Sequence, residues 1–270
     1  MNPDALINDL ITRAREAQAE YEKFDQRQVD DVVAAIAWTV MEPSRNRRLA
    51  EHAVQDTGLG DVDHKFSKNF RKTLGLLRDL TGTPSVGIIS EDTARGMVEI
   101  ARPVGVVGAI TPSTNPVATP TNKVMNALKG RNAIILAPSP RGEAVCGELI
   151  TLFQSALEAV GAPPALVQKM PAPMNKAATE LLMRAVDLVV ATGSQNNIRA
   201  AYSSGTPAVG VGAGNVAVIV DETAECPGVA EKILASKTFD NATSCSSENS
   251  VVVVDSAYDA LVASLESRGA

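Results

Sequence analysis

One cysteine of the sequence lies in a setting that suits a reactive thiol. Cys245 is in KTFDNATSCSSENS (237–250), a stretch of small polar residues between a predicted helix and the β-branched run SVVVV. In such a polar loop a thiol is accessible and hydrogen-bonded, and a thiolate acts as a nucleophile under these conditions. Two interpretations stay open from these residues, a catalytic thiol and an incidental loop cysteine, because many free cysteines have no chemical role.

The other cysteines and the histidines offer weaker chemistry. Cys146 falls within a predicted helix and is expected to be a small core residue, while Cys226 begins another predicted helix. Three widely spaced cysteines without a CxxC pair predict neither a metal site nor a disulfide framework. His52 and His64 lie in the N-terminal region, and nothing in the sequence brings either to Cys245, which disfavours a cysteine hydrolase.

Composition excludes several other classes of protein. The 270 residues include 25 Lys+Arg and 31 Asp+Glu, a net charge of −6, so no surface for nucleic acid or for an anionic membrane is predicted. Aromatic residues make up only 3%, too few for base-stacking platforms. No run approaches the roughly 18 apolar residues of a membrane span, and the acidic N-terminal segment is unlike a signal peptide. We therefore expect a cytoplasmic protein.

The elements that would hold Cys245 in position change in character along the chain. Up to about residue 82, apolar residues at helical spacing predict helices, the third of them over 62–80. One face of that third helix carries Phe66, Phe70, Leu74 and Leu77. This part of the chain is therefore expected to be a helical segment.

From residue 86 onward, short β-branched runs alternate with helical patterns. The predicted strands are 105–111, 133–137, 188–192, 216–220 and 250–254, with an additional antiparallel strand over 95–102. The predicted helices are 116–129, 142–160, 176–185, 196–202, 228–237 and 256–267. Because strands and helices alternate at this spacing, the sequence predicts an α/β fold with a doubly wound parallel sheet.

Such a sheet binds ligands beyond the carboxyl ends of its strands. Three predicted strand-to-helix junctions carry Ser, Thr, Asn or Gly: PSTNP (112–116), PSPRGE (138–143) and GSQNN (193–197). These residues cap helices, and a helix N-terminus also attracts an anion such as a phosphate. GVGAG (210–214) is followed by a β-branched run rather than a helix, so its glycines predict tight turning or close backbone approach, not a dinucleotide fingerprint.

Five segments match one known family in order and spacing. They are RPVGVVGAITPSTNP (102–116), ALKGRNAIILAPSPR (127–141), DLVVATGS (187–194), GVGAGNVAVIV (210–220) and SKTFDNATSC (236–245). With these segments the chain resembles the CoA-acylating branch of the aldehyde dehydrogenase superfamily. The resemblance implies N-terminal helices over 1–82, a Rossmann-like dinucleotide-binding domain over 83–236, and the start of a second α/β catalytic domain over 237–270. It also implies that the chain is the N-terminal part of a longer protein.

The resemblance assigns roles to individual residues. Cys245 matches the nucleophile that attacks the aldehyde, and Asn115 matches the amide that, with the nucleophile's backbone N–H, stabilises the oxyanion. The positions that match the cofactor site are Thr111, Pro112, Ser113 and Thr114 beside the nicotinamide, Ser139 and Arg141 beside the adenosine ribose, and Gly193 and Ser194 beside the pyrophosphate. The implied cofactor is NADP or NAD. A guanidinium near the ribose would favour the 2′-phosphate of NADP.

The implied reaction converts an aldehyde to an acyl-CoA. The thiolate adds to the aldehyde, hydride leaves to the nicotinamide, and coenzyme A attacks the resulting thioester. Hydrolytic relatives carry a glutamate that activates water, and Val211 stands at that position here. Because no base is present at this position, attack by coenzyme A is favoured over attack by water.

The residues around Cys245 also bear on the substrate. Four hydroxyls flank it, from Thr243, Ser244, Ser246 and Ser247. They would suit a polar or anionic aldehyde such as sulfoacetaldehyde. In the alternative, they only cap the local backbone and the substrate is acetaldehyde or another short-chain aldehyde. Two other classes of protein stay open, a non-catalytic nucleotide-binding domain and a scaffold. The expected partners are a small aldehyde, coenzyme A and further copies of the same protein.

Overall fold

The computed structural model describes residues 3–173, 175–212 and 214–270. Residues 1 and 2 of the predicted helical region and Ala213 of the GVGAG segment lie outside the described residues. The chain begins with the helices α1 (Pro3–Tyr21), α2 (Gln26–Met41), α3 (Pro43–Thr57) and α4 (Val62–Leu80). The predicted N-terminal helical segment is confirmed, and the bounds of α4 agree with the predicted 62–80.

Helix α3 is absent from the sequence-based prediction. Pro43 follows α2 directly after Glu42 and occupies the first turn of α3. Proline is tolerated there because its missing N–H would be unpaired in any case. The Glu42 side chain accepts hydrogen bonds from the backbone N–H groups of Ser44 and Arg45, which caps the new helix. Two consecutive helices therefore meet at this proline.

A β-hairpin follows the N-terminal helices. It consists of β1 (Gly87–Asp92) and β2 (Met97–Ala101), which pair antiparallel. The predicted antiparallel strand over 95–102 is confirmed as β2. Its partner β1 was not predicted.

The centre of the molecule is a parallel sheet of five strands. They are β3 (Val106–Thr111), β4 (Ala133–Pro138), β5 (Val167–Lys169), β6 (Leu188–Thr192) and β7 (Ala208–Val211). Their spatial order is β5-β4-β3-β6-β7, and all neighbours are parallel. The helices that connect them are α5 (Ala118–Lys129), α6 (Glu143–Ala159), α7 (Lys176–Ala185) and α8 (Gln195–Tyr202). The predicted doubly wound α/β fold is confirmed, although β5 and β7, which have three and four residues, were missed.

Burial explains the apolar character of the central strands. Every residue of β3 and of β4 is buried, as expected for strands that are covered on both faces. Helices α1 and α2 contribute to the same core, and the Tyr21 hydroxyl donates a hydrogen bond to the carbonyl of Leu128 in α5 (3.0 Å). One core therefore joins the N-terminal helices to the sheet.

The last elements form a second, smaller unit. They are β8 (Ala217–Val220), α9 (Cys226–Thr238), β9 (Ser250–Val253) and α10 (Asp255–Glu266). The predicted strand over 216–220 does not continue the five-stranded sheet, because β8 pairs with β9 in a separate parallel sheet. A separate apolar cluster holds this unit together: Val220, Cys226, Ala230, Ala257 and Leu261. The predicted division between residues 236 and 237 thus falls inside α9.

Candidate active site

The sheet order creates a crevice at one edge. From the central strand β3 the chain runs outward through β4 and β5, and then returns to the other side of β3 for β6 and β7. Parallel sheets bind ligands at such a reversal, beyond the carboxyl ends of the strands. A cleft of about 900 Å³ lies at this place. Its walls include these predicted site residues: Thr111, Pro112, Ser113, Thr114, Asn115, Ser139, Gly193, Ser194 and Cys245.

Arg141 is the one predicted site residue that does not line the cleft. It is exposed in the short 3₁₀ turn Pro140–Gly142 after β4, so its contact with a ribose stays a prediction. Lys176, the first residue of α7, does line the cleft, and its ammonium is 3.9 Å from Glu180. Lys176 was not predicted as a site residue. It lies in the junction after β5, and this strand of only three residues was itself not predicted.

Helix capping explains only one of the three polar junctions. The Ser194 hydroxyl accepts a hydrogen bond from the backbone N–H of Asn197 (3.3 Å) and so caps α8. Helices α5 and α6 begin without a side-chain cap. The polar residues after β3 and β4 therefore serve no capping role. The first turn of α6 instead has an acceptor from another element, because the Asp56 carboxylate of α3 accepts a hydrogen bond from the backbone N–H of Val145 (3.0 Å).

The glycine-rich segment starts at the end of β7 and precedes β8. Gly210 is in β7, and a Cβ at this position would come within 2.8 Å of Ile198 and 2.9 Å of Tyr202, so the predicted close backbone approach is confirmed there. A Cβ at Gly214 would lie 3.9 Å from the carbonyl oxygen of Cys245. Val211 is exposed and lines the cleft. Val211, which the resemblance matches to the glutamate of hydrolytic relatives, thus lines the cleft and carries no ionisable group.

Cys245 lies where the cleft meets a second, smaller cavity. Cys245 is exposed to solvent, whereas the other two cysteines are buried. The small cavity has a volume of about 130 Å³. It is lined by Lys68, Lys72, Asn115, Ala118, Thr119, Asn122, Ser244 and Cys245. Since Asn115 and Cys245 line both cavities, the structure brings together the two residues that were predicted to act on the aldehyde.

Asn115 has hydrogen-bonding capacity left for a ligand. Its amide nitrogen makes one long contact, 3.4 Å, to the Thr114 hydroxyl. Its buried Oδ1 atom has no hydrogen-bond partner among the described residues. A buried, under-used amide beside a thiol is suited to stabilise negative charge on an oxygen atom bound nearby.

The loop that carries Cys245 is anchored by a buried carboxylate. Asp240 is fully buried and accepts hydrogen bonds from Lys68, from Lys65 (3.2 Å) and from the backbone N–H of Asp61 (3.0 Å). Burial by itself would raise the pKa of Asp240, but the hydrogen bonds from Lys68 and Thr243 outweigh it, so the pKa lies below its usual value. Asp240 is therefore an ionised anchor between the loop and α4.

Helix α4 also reaches the loop after β3. The Lys65 ammonium donates to the carbonyl of Thr114 (3.2 Å) as well as to Asp240, so one side chain connects the two predicted site loops. The buried face of α4 is polar and consists of Lys65, Lys68, Asn69 and Thr73. The face with Phe66, Phe70, Leu74 and Leu77 is only half-buried. The apolar residues alone were recognised from the sequence. Lys65, Lys68 and Lys72, which recur at positions i, i+3 and i+7, were not.

The hydroxyls around Cys245 are partly engaged within the loop. Thr243 donates to the carbonyl (2.8 Å) and the carboxylate (2.6 Å) of Asp240. The hydroxyls of Ser244 and Ser246 are 3.0 Å apart. The buried Ser247 hydroxyl lines the cleft and has no partner in the described part of the chain. Thr243 thus serves the loop, which agrees with the alternative in which these hydroxyls stabilise local backbone.

A half-buried lysine connects β3 and β6 at the crevice. Lys123 of α5 donates to the carbonyls of Ile110 (3.0 Å) and Val190 (2.6 Å). Burial lowers the pKa of Lys123 to about 7. Because these two strands define the reversal of the sheet, Lys123 fixes their separation next to the loop that contains Asn115. The sequence analysis did not single it out.

The other two cysteines are buried, and the described residues form no metal cluster. Burial raises the pKa of the Cys146 thiol to about 12, and this residue packs in the core as predicted. Cys226 begins α9 and is buried. Within residues 3–173, 175–212 and 214–270, no cluster of three or more His, Cys, Asp or Glu side chains is arranged for a metal ion. Among the helices in these ranges, none is both long and apolar enough to cross a bilayer.

Comparison with known proteins identifies the family. Residues 3–269 match the aldehyde dehydrogenase family. The chain belongs to this family. An acylating sulfoacetaldehyde dehydrogenase of Cupriavidus necator is 60% identical over 260 residues, which are 96% of this chain and 53% of that protein. The chain thus spans about half the length of the curated relative.

Solved structures of aldehyde dehydrogenases have the same fold. An acetylating aldehyde dehydrogenase from Geobacillus thermoglucosidasius superposes with a TM-score of 0.93 at 38% identity, over 99% of this chain and 59% of that one. A Rhodopseudomonas palustris propionaldehyde dehydrogenase with bound propionyl-CoA superposes with a TM-score of 0.87 at 30% identity, over 97% of this chain and 58% of that one. This aldehyde dehydrogenase chain therefore shares its fold with acylating members of the family.

Proposed function

We propose that the native polypeptide containing this chain is a CoA-acylating aldehyde dehydrogenase, which converts an aldehyde, coenzyme A and NADP or NAD to an acyl-CoA and the reduced dinucleotide. The observation that carries the proposal is the convergence of Cys245 and Asn115 at the mouth of the strand-edge cleft. Membership of the family and the similarity to an acylating sulfoacetaldehyde dehydrogenase support the same reaction.

The cleft suits a dinucleotide. It lies at the reversal of a doubly wound sheet, and α5, which begins there, has no side-chain cap. The loop Thr111–Thr114 would hold the nicotinamide end, and Gly193 and Ser194 would hold the pyrophosphate. When bound, the nicotinamide supplies the acceptor for a hydride. Lys176 and Lys237 are the cations that line the described cleft, and we assign the contact with a phosphate to Lys176. Arg141 would need to turn inward to make such a contact.

The protein's part in the chemistry rests on two residues. The Cys245 thiolate adds to the aldehyde carbon, and the carbonyl oxygen becomes an alkoxide. The Asn115 amide donates to that oxygen, an interaction whose loss typically costs about 2.7–4 kcal/mol of transition-state stabilisation. Collapse of the alkoxide re-forms the carbonyl as hydride leaves, and a thioester remains on Cys245. The thiolate of coenzyme A then attacks the thioester and releases the Cys245 thiolate.

The residue at position 211 favours thiolysis over hydrolysis. Val211 faces the cleft and cannot take a proton from water. Water attack on a thioester needs such a base, while coenzyme A reacts as a thiolate and needs less help. The acyl group is therefore transferred to coenzyme A.

Sulfoacetaldehyde is the proposed substrate, and acetaldehyde or another short aldehyde is the alternative. The similarity to a sulfoacetaldehyde dehydrogenase at 60% identity supports it. Three accompanying features are proposed with it: a cytoplasmic location, a homo-oligomeric assembly, and a division into N-terminal helices, dinucleotide-binding domain and catalytic domain. The pairing of β8 with β9 favours a start of the last domain before β8 rather than at residue 237.

The test compares Cys245→Ser with Cys226→Ser in the native polypeptide. Reduction of NADP and of NAD is followed by absorbance, and acyl-CoA by mass spectrometry, with sulfoacetaldehyde or acetaldehyde and with or without coenzyme A. We expect CoA-dependent reduction in the wild type and in Cys226→Ser, and a loss of about a thousandfold or more in Cys245→Ser. Retained turnover in Cys245→Ser would contradict the mechanism. Dinucleotide binding without turnover of any aldehyde would indicate a non-catalytic binding domain.

A further inference from the structure

The small cavity adjoins the proposed dinucleotide cleft at Cys245. Four residues line both spaces: Asn115, Thr119, Ser244 and Cys245. The residues that line only the small cavity come from α4 and α5, and they include Lys68, Lys72 and Asn122. A carbon atom bound to Cys245 that passes hydride into the cleft must direct its remaining substituent elsewhere. The small cavity is the space available to that substituent.

Positive charge exceeds negative charge at this cavity. Lys65 and Lys68 share the single carboxylate of Asp240. Lys72, one helical turn after Lys68, has no ion-pair partner in the described part of the chain. Burial lowers the pKa of Lys68, and the neighbouring charges of Lys65 and Lys72 lower it further, against the opposing effect of Asp240. An anion in the cavity would relieve this repulsion.

A second observation concerns Asn122 of α5. This residue lines the same cavity, and its buried Oδ1 atom has no hydrogen-bond partner among the described residues. Native proteins rarely leave buried polar atoms unpaired, so each such atom indicates a missing partner. An amide can present either its oxygen or its nitrogen to a ligand. Asn122 is therefore placed to bind a polar group that enters beside Lys72.

We propose that Lys72 and Asn122 bind the anionic end of a short aldehyde whose carbonyl lies at Cys245. The proposal rests on the proposed function and adds the residues that select the substrate, a two- or three-carbon aldehyde that carries a sulfonate or a carboxylate. Lys72 supplies the charge, and the Asn122 amide donates a hydrogen bond to the same group. The hydroxyls of Thr243 and Ser244, which are engaged within the loop, are not required for it.

The first experiment measures kcat and KM of the native polypeptide with sulfoacetaldehyde and with acetaldehyde. Lys72→Ala should raise the KM for sulfoacetaldehyde by about tenfold or more, the usual size of a lost hydrogen bond to a charged group. It should leave kcat/KM for acetaldehyde within about twofold, since an uncharged tail makes no such contact. Lys72→Arg should retain most of the activity towards sulfoacetaldehyde. Arg71→Ala is the matched control, because Arg71 is exposed on the same helix and does not line the cavity.

Two kinetic results would overturn the proposal. One is an equal loss towards both aldehydes in Lys72→Ala, which would indicate a structural role. The other is unchanged kinetics towards sulfoacetaldehyde. Asn122→Leu should also raise the KM for sulfoacetaldehyde selectively. The increase should be smaller than in Lys72→Ala, because the substitution removes a hydrogen bond but no charge.

The second experiment does not depend on turnover. Iodoacetamide alkylates the exposed Cys245, while the buried Cys146 and Cys226 serve as internal references. The unreactive probe 2-hydroxyethanesulfonate should slow alkylation of Cys245 in the wild type and in Arg71→Ala, but not in Lys72→Ala. No protection in the wild type, or equal protection in Lys72→Ala, would contradict the subsite. Protection in a protein that oxidises no aldehyde would support the subsite and refute the proposed function, so the two failures are distinguishable.

Discussion

The two parallel sheets of this protein hold their loops in different ways. In the five-stranded sheet, β3 and β4 are buried at every position. In the two-stranded sheet most residues of β8 and β9 are accessible, and Ile219 is 82% exposed. The loops after β3 and β6 are thus positioned by a large apolar core. The loop with Cys245 belongs to a unit with a small core and is held to the rest by polar contacts.

The polar contacts of Asp240 join this unit to the N-terminal helices. They connect the Cys245 loop to α4, whose Lys65 in turn contacts the loop after β3. The backbone of Asp240, Asn241 and Ala242 adopts positive φ values of 53°, 51° and 58°. Such conformations cost energy for residues other than glycine and persist where surrounding contacts impose them. Apolar packing therefore positions one half of the site, and an ionic anchor positions the other half.

The largest expected effect comes from removing the anchor. Asp240→Ala leaves Lys65 and Lys68 buried next to each other without a counter-charge. We expect a loss of about 3–5 kcal/mol in the free energy of unfolding, measured by denaturant titration. The double variant Asp240→Ala with Lys68→Met should recover part of it, because one unpaired charge is removed. A loss below about 1 kcal/mol would mean that the anchor is not needed.

The next prediction compares the stability cost of truncating one apolar side chain in each sheet. Ile135→Ala in β4 removes a fully buried side chain and should cost about 2–5 kcal/mol in the free energy of unfolding. Ile219→Ala in β8 removes a mostly exposed side chain and should change stability by less than about 0.5 kcal/mol. Both are measured by denaturant titration of the 270-residue chain. Similar costs would show that the Ile219 side chain is packed in the folded chain.

The last effect is a gradual one, the pH dependence of stability that Lys123 confers. Its pKa is about 7 in the folded state and 10.5 in the unfolded chain, so between these values the unfolded chain binds more protons. Stability relative to Lys123→Met should therefore rise with pH from about 7 towards 10.5, by at most about 1.4 kcal/mol per pH unit. Below pH 7 both states bind the proton, and the difference should be constant. A pH-independent difference across the whole range would contradict the lowered pKa.

Much of the fold could be predicted from local patterns. The bounds of α4 and α7 agree with their apolar periodicity, and the β-branched runs that became β3, β4 and β6 were recognised. Shorter elements were missed, since three residues such as Val167–Lys169 carry no periodicity. Cys245 and Asn115 were identified as candidates, and the structure brings both to the junction of two cavities. Lys68, Lys72 and Asp240 were not identified, because each is an ordinary polar residue in its local sequence.

Local sequence sets where strands alternate with helices and which residue types follow each strand. Both depend on residues that are close along the chain. The tertiary structure alone decided the order of the strands, the pairing of β8 with β9 and the buried face of α4. These depend on contacts between distant residues, such as Lys65 and Asp240, which are 175 positions apart. A lysine on an amphipathic helix is normally solvated. Only the approach of a carboxylate from the far end of the chain stabilises its burial here.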